Sequence, residues 1–141
     1  MRIDSILTVK GNAVHSIEPS ASLAEVVAKL VECNCGSLVV CQGDQMVGII
    51  TERDIMRACA DRTTALEDRT VEYVMSEEVI TGKLDDEVES IMGLMTDNRI
   101  RHLPIVENGQ LVGLVSIGDV VKAQHDLLTM ENHYLKSYIQ S

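Results

Sequence analysis

The sequence predicts a mixed α/β (α+β) fold made of two pseudo-symmetric β-α-β-β-α repeats packed sheet to sheet as one body. Three observations carry this. The first is a doubled stretch, Gly48-Ile49-Ile50-Thr51-Glu52-Arg53-Asp54 and Gly113-Leu114-Val115-Ser116-Ile117-Gly118-Asp119, at a fixed offset of sixty-five residues. The second is the reach of the copy, which runs without a gap from about Val14–Asp61 against Val79–Asp126. Identities fall at Val14/Val79, Leu38/Leu103, Gln45/Gln110, Val47/Val112, Gly48/Gly113, Asp54/Asp119, Ala58/Ala123 and Asp61/Asp126. The third is length: 141 residues suffice for one ordinary core, whereas a repeat of about sixty is marginal alone.

Each element has its own signal. Ile3, Ile6 and Leu7 open a lead segment that reads as a short helix or turn, and Val9 to Ile17 follows as a strand entry broken at Pro19. Ser22 with Glu25 forms a capping box for a helix whose inner face carries Leu23, Val26, Val27, Leu30 and Val31. Two apolar runs, Ser37 to Cys41 and Met46 to Ile50, flank Gln42-Gly43-Asp44-Gln45 as a hairpin. Thr51 to Ala60 is the next helix. Asp61 to Thr70 is polar and without apolar period, and Val71 to Met75 reads as a short helix before the second copy.

The second copy repeats the plan. Asp86 and Glu89 start its first helix, with Val88, Ile91, Met92 and Met95 inward, and Ile100–Val106 and Gln110–Val115 form a hairpin. The last helix starts near Ser116 and runs towards Ile139, longer than its twin. Val121, Leu128 and Leu135 recur along it as an apolar stripe, which points to self-association or to folding back on its own domain. The expected divisions are 1–61 for repeat 1 with its lead, 62–78 for the linker, 79–126 for repeat 2 and 127–141 for a helical extension. Met75, Met92, Met95 and Met130 read as core packing.

Composition excludes several functions. A net charge of −10 offers no basic face for nucleic acid. Neither a long apolar span nor a signal-peptide core is visible, so no membrane role and a cytoplasmic location are expected. Cys33, Cys35, Cys41 and Cys59 are expected to be reduced, and Cys33-x-Cys35 lacks metal-site spacing, so no metal is expected. No nucleophile–base pair stands out, and the chain is read as a binding module rather than an enzyme.

The doubled stretch is the candidate site. A strand ends at Thr51 or Ser116, turns, and becomes a helix with Asp54 or Asp119 in its first turn. The helix N-terminus attracts anions, and an adjacent carboxylate accepts hydrogen bonds from hydroxyls, so the junction suits a phosphorylated sugar. The same residues also cap a helix, and the two uses coexist.

The paired repeats, the G-h-h-[ST]-x-x-D endings and the strand Arg101-His102-Leu103-Pro104-Ile105-Val106 resemble a pair of CBS domains, a Bateman module, over about Ala13 to His125. The resemblance implies a stand-alone, homodimeric regulatory module. It would bind an adenosine ligand in two clefts and act on a partner protein or through its own dimer. AMP, ADP or ATP are the leading ligands, with NAD(H) and S-adenosylmethionine sharing the adenosine. Asp119 and Asp54 are implied to hold ribose hydroxyls, with Ser116 and Thr51 near phosphate. The base is implied to lie against Val14, His15, Cys35 and Leu114 in the Asp119 cleft, and Val79, Ile80, Ile100 and Ile49 in the Asp54 cleft. Arg101 and His102 would face phosphates at Asp119, which should take the more charged ligand, with Arg53 a supplement at Asp54. Gly82-Lys83-Leu84, where a Pro-containing turn is common, and Glu52 beside the first phosphate position depart from the pattern. The competing reading is a dimerisation scaffold with degenerate clefts; turnover of a nucleotide is a third.

Overall fold

The computed structural model describes residues 1–140. Its elements are α1 (Ile3–Lys10), β1 (Ser16–Ile17), α2 (Leu23–Cys33), β2 (Ser37–Gln42), β3 (Gln45–Thr51), α3 (Glu52–Cys59), α4 (Val88–Asn98), β4 (His102–Glu107), β5 (Gln110–Ser116) and α5 (Ile117–Gln140), with short 3-10 turns at Leu66–Asp68 and Val71–Tyr73. They form a three-stranded sheet ordered β1-β2-β3 and a two-stranded sheet β4-β5. No helix among the described residues is long and apolar enough to cross a membrane.

The doubling is visible in the backbone bonds. Helices α2 and α4 both end on a left-handed residue, Asn34 (φ 50°) and Arg99 (φ 54°). The next N–H groups then close on matching carbonyls, Cys35 on Leu30 at 3.1 Å and Ile100 on Met95 at 3.0 Å. Strands β3 and β5 share one alternation of burial, with Gly48 and Ile50 matched by Gly113 and Val115.

The chain divides into two compact units. The first-repeat unit holds Ala13–Ile80 with Asn108–Leu111, and its core is Leu23, Val26, Leu30, Leu38, Val40, Ile50, Ile55, Ala58 and Val71. The Ser22–Glu25 capping box is formed. β2 pairs with β1 in parallel and with β3 antiparallel, with an irregularity at Val40/Cys41. The segment read as a bare linker contributes to this core, since Val71 is fully buried and Leu66 packs against it.

The second-repeat unit holds Met1–Asn12, Thr81–Glu107 and the chain from Val112 on. The lead segment therefore groups with the second repeat rather than the first. Its N–H groups at Ile3 and Asp4 donate to the carbonyls of Asp86 and Leu84, and Ile3, Ile6 and Leu7 are buried. Val9, read as part of a strand, is instead exposed in the last turn of α1, and the strand shrinks to Ser16–Ile17.

The second repeat loses its first strand to a single parallel bridge, Gly82 to Ile105. Chemistry explains this. In the first repeat Val39 N–H donates to His15 C=O at 3.2 Å, and the residue sixty-five further on is Pro104, which has no N–H to give. Gly82 still pairs around it, donating to Pro104 C=O and accepting from Val106.

Two further expectations change, and one of two alternatives for α5 closes. The N-cap of α4 is Glu87 without a side-chain bond, and Asp86 instead accepts from Lys83 N–H. Met130 is exposed rather than core, whereas Met95 is buried and Met75 packs against the first core. Helix α5 does not fold its stripe away, because Val121, Leu128 and Leu135 remain more than half exposed. Ser141, the end of the expected extension, lies outside the described residues.

Each lead element closes on a glycine of the strand it covers. A Cβ on Gly113 would sit 2.8 Å from Leu7 of α1, and one on Gly48 would sit 2.7 Å from Met75 Sδ and 2.8 Å from the Ser76 carbonyl. A Leu methyl can move, but a backbone carbonyl in a strand pair cannot do so cheaply. Gly48→Ala should cost about 1–3 kcal/mol in urea unfolding and more than Gly113→Ala. The reverse order would contradict this packing.

Candidate functional site

Both strand–helix junctions are pinned in the same way. Thr51 N–H donates to Asp54 Oδ2 at 2.9 Å, and Asp54 N–H returns to Thr51 Oγ1 at 3.4 Å. Ser116 N–H donates to Asp119 Oδ2 at 2.9 Å, and Asp119 N–H returns to Ser116 Oγ at 3.1 Å. The capping reading thus holds at both. Each turn is also tied to the residue just ahead of the hairpin's first strand, through Glu52 N–H on Gly36 C=O at 3.0 Å and Ile117 N–H on Arg101 C=O at 2.8 Å.

The two junctions differ in one partner. Lys10, the last residue of α1, places Nζ 2.5 Å from Asp119 Oδ2 and 2.7 Å from Leu114 C=O. The pair is partly sheltered, with the Lys10 and Asp119 side chains 34% and 26% exposed. Burial opposes the Asp119 charge, but hydrogen bonds from Lys10 and from Ser116, with the Lys10 charge, outweigh it and hold the carboxyl below its ordinary range. In the first repeat the carbonyl matching Leu114 belongs to Ile49, and it is satisfied by Ser76 N–H at 2.9 Å.

The second-repeat unit brings Lys10, Leu114, Ser116 and Asp119 together. Arg101 joins them through its carbonyl, its side chain being exposed, and His102 is half-buried at the start of β4. Ile100 follows the end of α4 in the same unit. The first-repeat unit holds Thr51, Asp54 and Ile49 around its junction, with Arg53 exposed on α3. Val14, His15, Cys35, Val79 and Ile80 also belong to this unit. His15 is exposed, its carbonyl engaged by Val39, while burial pushes the Cys35 thiol up. Ser37, the counterpart of His102, is buried with no partner for its hydroxyl.

Lys10 is the site residue the sequence did not reveal. The gapless copy runs only from about Val14, and the position sixty-five residues after Lys10 holds Met75, so no identity marks it. A surface depression of about 450 Å³ lined by Asp4, Leu7, Thr8, Gly11, Asn12 and Leu84 also lies on α1, and none of the junction residues lines it. Among the described residues no group of three or more His, Cys, Asp or Glu could hold a metal ion.

A family model for the CBS domain matches residues 9–61 and 71–126. The chain belongs to the CBS-domain family. An uncharacterised 17.7 kDa protein of Acidianus ambivalens is 39% identical over 132 residues, covering 92% of this CBS pair and 77% of the relative. A crystal structure of a CBS-domain protein from Agrobacterium tumefaciens has a TM-score of 0.84 at 34% identity, covering 88% of this chain and 99% of that one. A CBS-domain protein from Pyrobaculum aerophilum, solved in complex with AMP, has a TM-score of 0.75 at 29% identity over 84% of this chain and 89% of its own.

The Asp119 pairing has a pH signature. A carboxyl held below its unfolded value of about 3.9 contributes stability above that pH and loses it as pH falls through the folded value. The difference in urea midpoint between wild type and Asp119→Asn should therefore shrink from about pH 5 to about pH 3. A difference that stays constant over this range would contradict the ion pair.

Proposed function

We propose that this CBS pair is a regulatory module that binds an adenine nucleotide and acts through a partner protein or its own dimer. The observation that carries the reading is the Asp119 junction. A carboxylate at the positive end of a long helix is held charged by Ser116 N–H and Lys10, all on Oδ2, and Oδ1 receives none of these bonds. A ribose diol is the complementary donor, and Ser116 with the first turn of α5 suits the phosphate.

The AMP held by the Pyrobaculum aerophilum relative supports the adenine class. AMP, ADP and ATP carry the phosphate this junction favours, and NAD(H) and S-adenosylmethionine share its adenosine. Asp54 with Thr51 is the second, less cationic site, supplemented by Arg53. Arg101 and His102 serve phosphates at the first. Leu114 and Ile100 in the second-repeat unit, and Val14, His15, Cys35, Ile49, Val79 and Ile80 in the first-repeat unit, offer a base mostly aliphatic surface, which suits a chain with no Trp or Phe. Free thiols at all four cysteines fit a cytoplasmic setting. The exposed stripe of Val121, Leu128 and Leu135 on α5 suits a homodimer.

A thermal-shift panel of adenosine ligands against guanosine controls tests this. Binding only the folded state adds about 2.7 kcal/mol at a hundredfold excess over Kd, so AMP should raise the melting temperature and Asp119→Ala should lose most of the rise. Sedimentation of the same samples should show a dimer, and a monomer at tens of micromolar would contradict the α5 pairing. No shift for any ligand, on folded and unloaded protein, would favour a dimerisation scaffold with unused clefts.

A further inference from the structure

Lys10 gives the Asp119 carboxylate a cationic partner that no hydrogen bond or ion pair among the described residues gives Asp54. It ends α1, and its ammonium reaches across to Asp119 Oδ2 and the Leu114 carbonyl. Satisfying that carbonyl does not require a charge, because at Ile49 the main-chain N–H of Ser76 does the same job. The position sixty-five residues after Lys10 holds Met75, a neutral side chain that packs against the first core instead. An ammonium has three N–H donors, and the two bonds here engage two of them. The group is also partly exposed, so its remaining N–H can reach an anion. Its charge offsets at this junction the repulsion that a chain of net charge −10 presents to one, whereas no lysine reaches Asp54.

We propose that Lys10 is the charge-selecting residue of the Asp119 site: its ammonium contacts the ligand's phosphate while the ribose hydroxyls take Asp119, so this site prefers a nucleoside phosphate to the nucleoside. The assignment rests on the nucleotide-binding reading above and deepens it. Lys10 acts there as a specificity residue supplied by α1, whereas at the Asp54 junction, where no lysine reaches the carboxylate, Thr51 provides the corresponding contact. The Asp54 site, with Met75 at the equivalent position, has weaker discrimination between the two ligands.

Calorimetric titration of the full chain with AMP and with adenosine tests this, in an Asp54→Ala background so that only the Asp119 site reports. Lys10→Met should lower the AMP-over-adenosine affinity ratio about tenfold, and Lys10→Arg should restore most of it. Lys10→Gln, which keeps an N–H for the Leu114 carbonyl, is measured in parallel and should behave as Lys10→Met, so that a folding defect cannot decide the outcome. An unchanged ratio in both neutral variants, with AMP binding still lost in Asp119→Ala, overturns the role of Lys10 and leaves the nucleotide reading intact. Binding by wild type but not by the Asp54→Ala parent also overturns it, by moving the site to Asp54. Failure of wild type to bind either ligand overturns both readings.

Discussion

The carboxylate at each strand–helix junction is the constraint on which the rest depends. Asp54 and Asp119 accept the N–H of the residue that ends the strand, at 2.9 Å in both copies, and so fix where β3 and β5 stop and where α3 and α5 begin. An unsatisfied N–H at that turn would cost about as much as a lost hydrogen bond, so the fold needs the acid whether or not a ligand binds. Structure and function therefore draw on one group. A residue that caps a helix is held rigidly, and rigid placement is what a binding carboxylate needs.

Two copies of one plan do not make two equal sites. The edge of β3 at Ile49 is closed by a main-chain pair with Ser76, whereas the matching carbonyl of β5 is closed by the Lys10 side chain. The first closure is a neutral strand bridge. The second brings a charge to Asp119, on the end of a helix that packs Leu7 against Gly113. Any ligand that bonds to Asp119 must share that carboxylate with Lys10. Occupancy of the junction and the position of the end of α1 are thereby linked through one ion pair, a route by which binding could be felt outside the site.

Much of this was legible in the sequence because the repeat checks each reading twice. Paired glycines, paired capping residues and matched apolar runs located the hairpins and both acids. What escaped had specific causes. Pro104 removes a ladder bond whose importance shows only once His15 is seen to be its first-repeat acceptor, so the lost strand was not readable from apolar pattern. The lead Met1–Asn12 packs with residues far along the chain, and neighbours in sequence gave no hint of that. Leu66 packs against a core from the stretch Asp61 to Thr70 that reads as polar, as tertiary packing overrides local composition. Lys10 was missed for the same reason as the lead that carries it.

The most direct test of the account is a crystal structure of the wild-type protein with AMP. The account predicts ribose hydroxyls on Asp119, the phosphate at Ser116 and the start of α5, and Lys10 Nζ within hydrogen-bond distance of a phosphate oxygen. AMP bound away from both junctions, or not bound at saturating concentration, would contradict it.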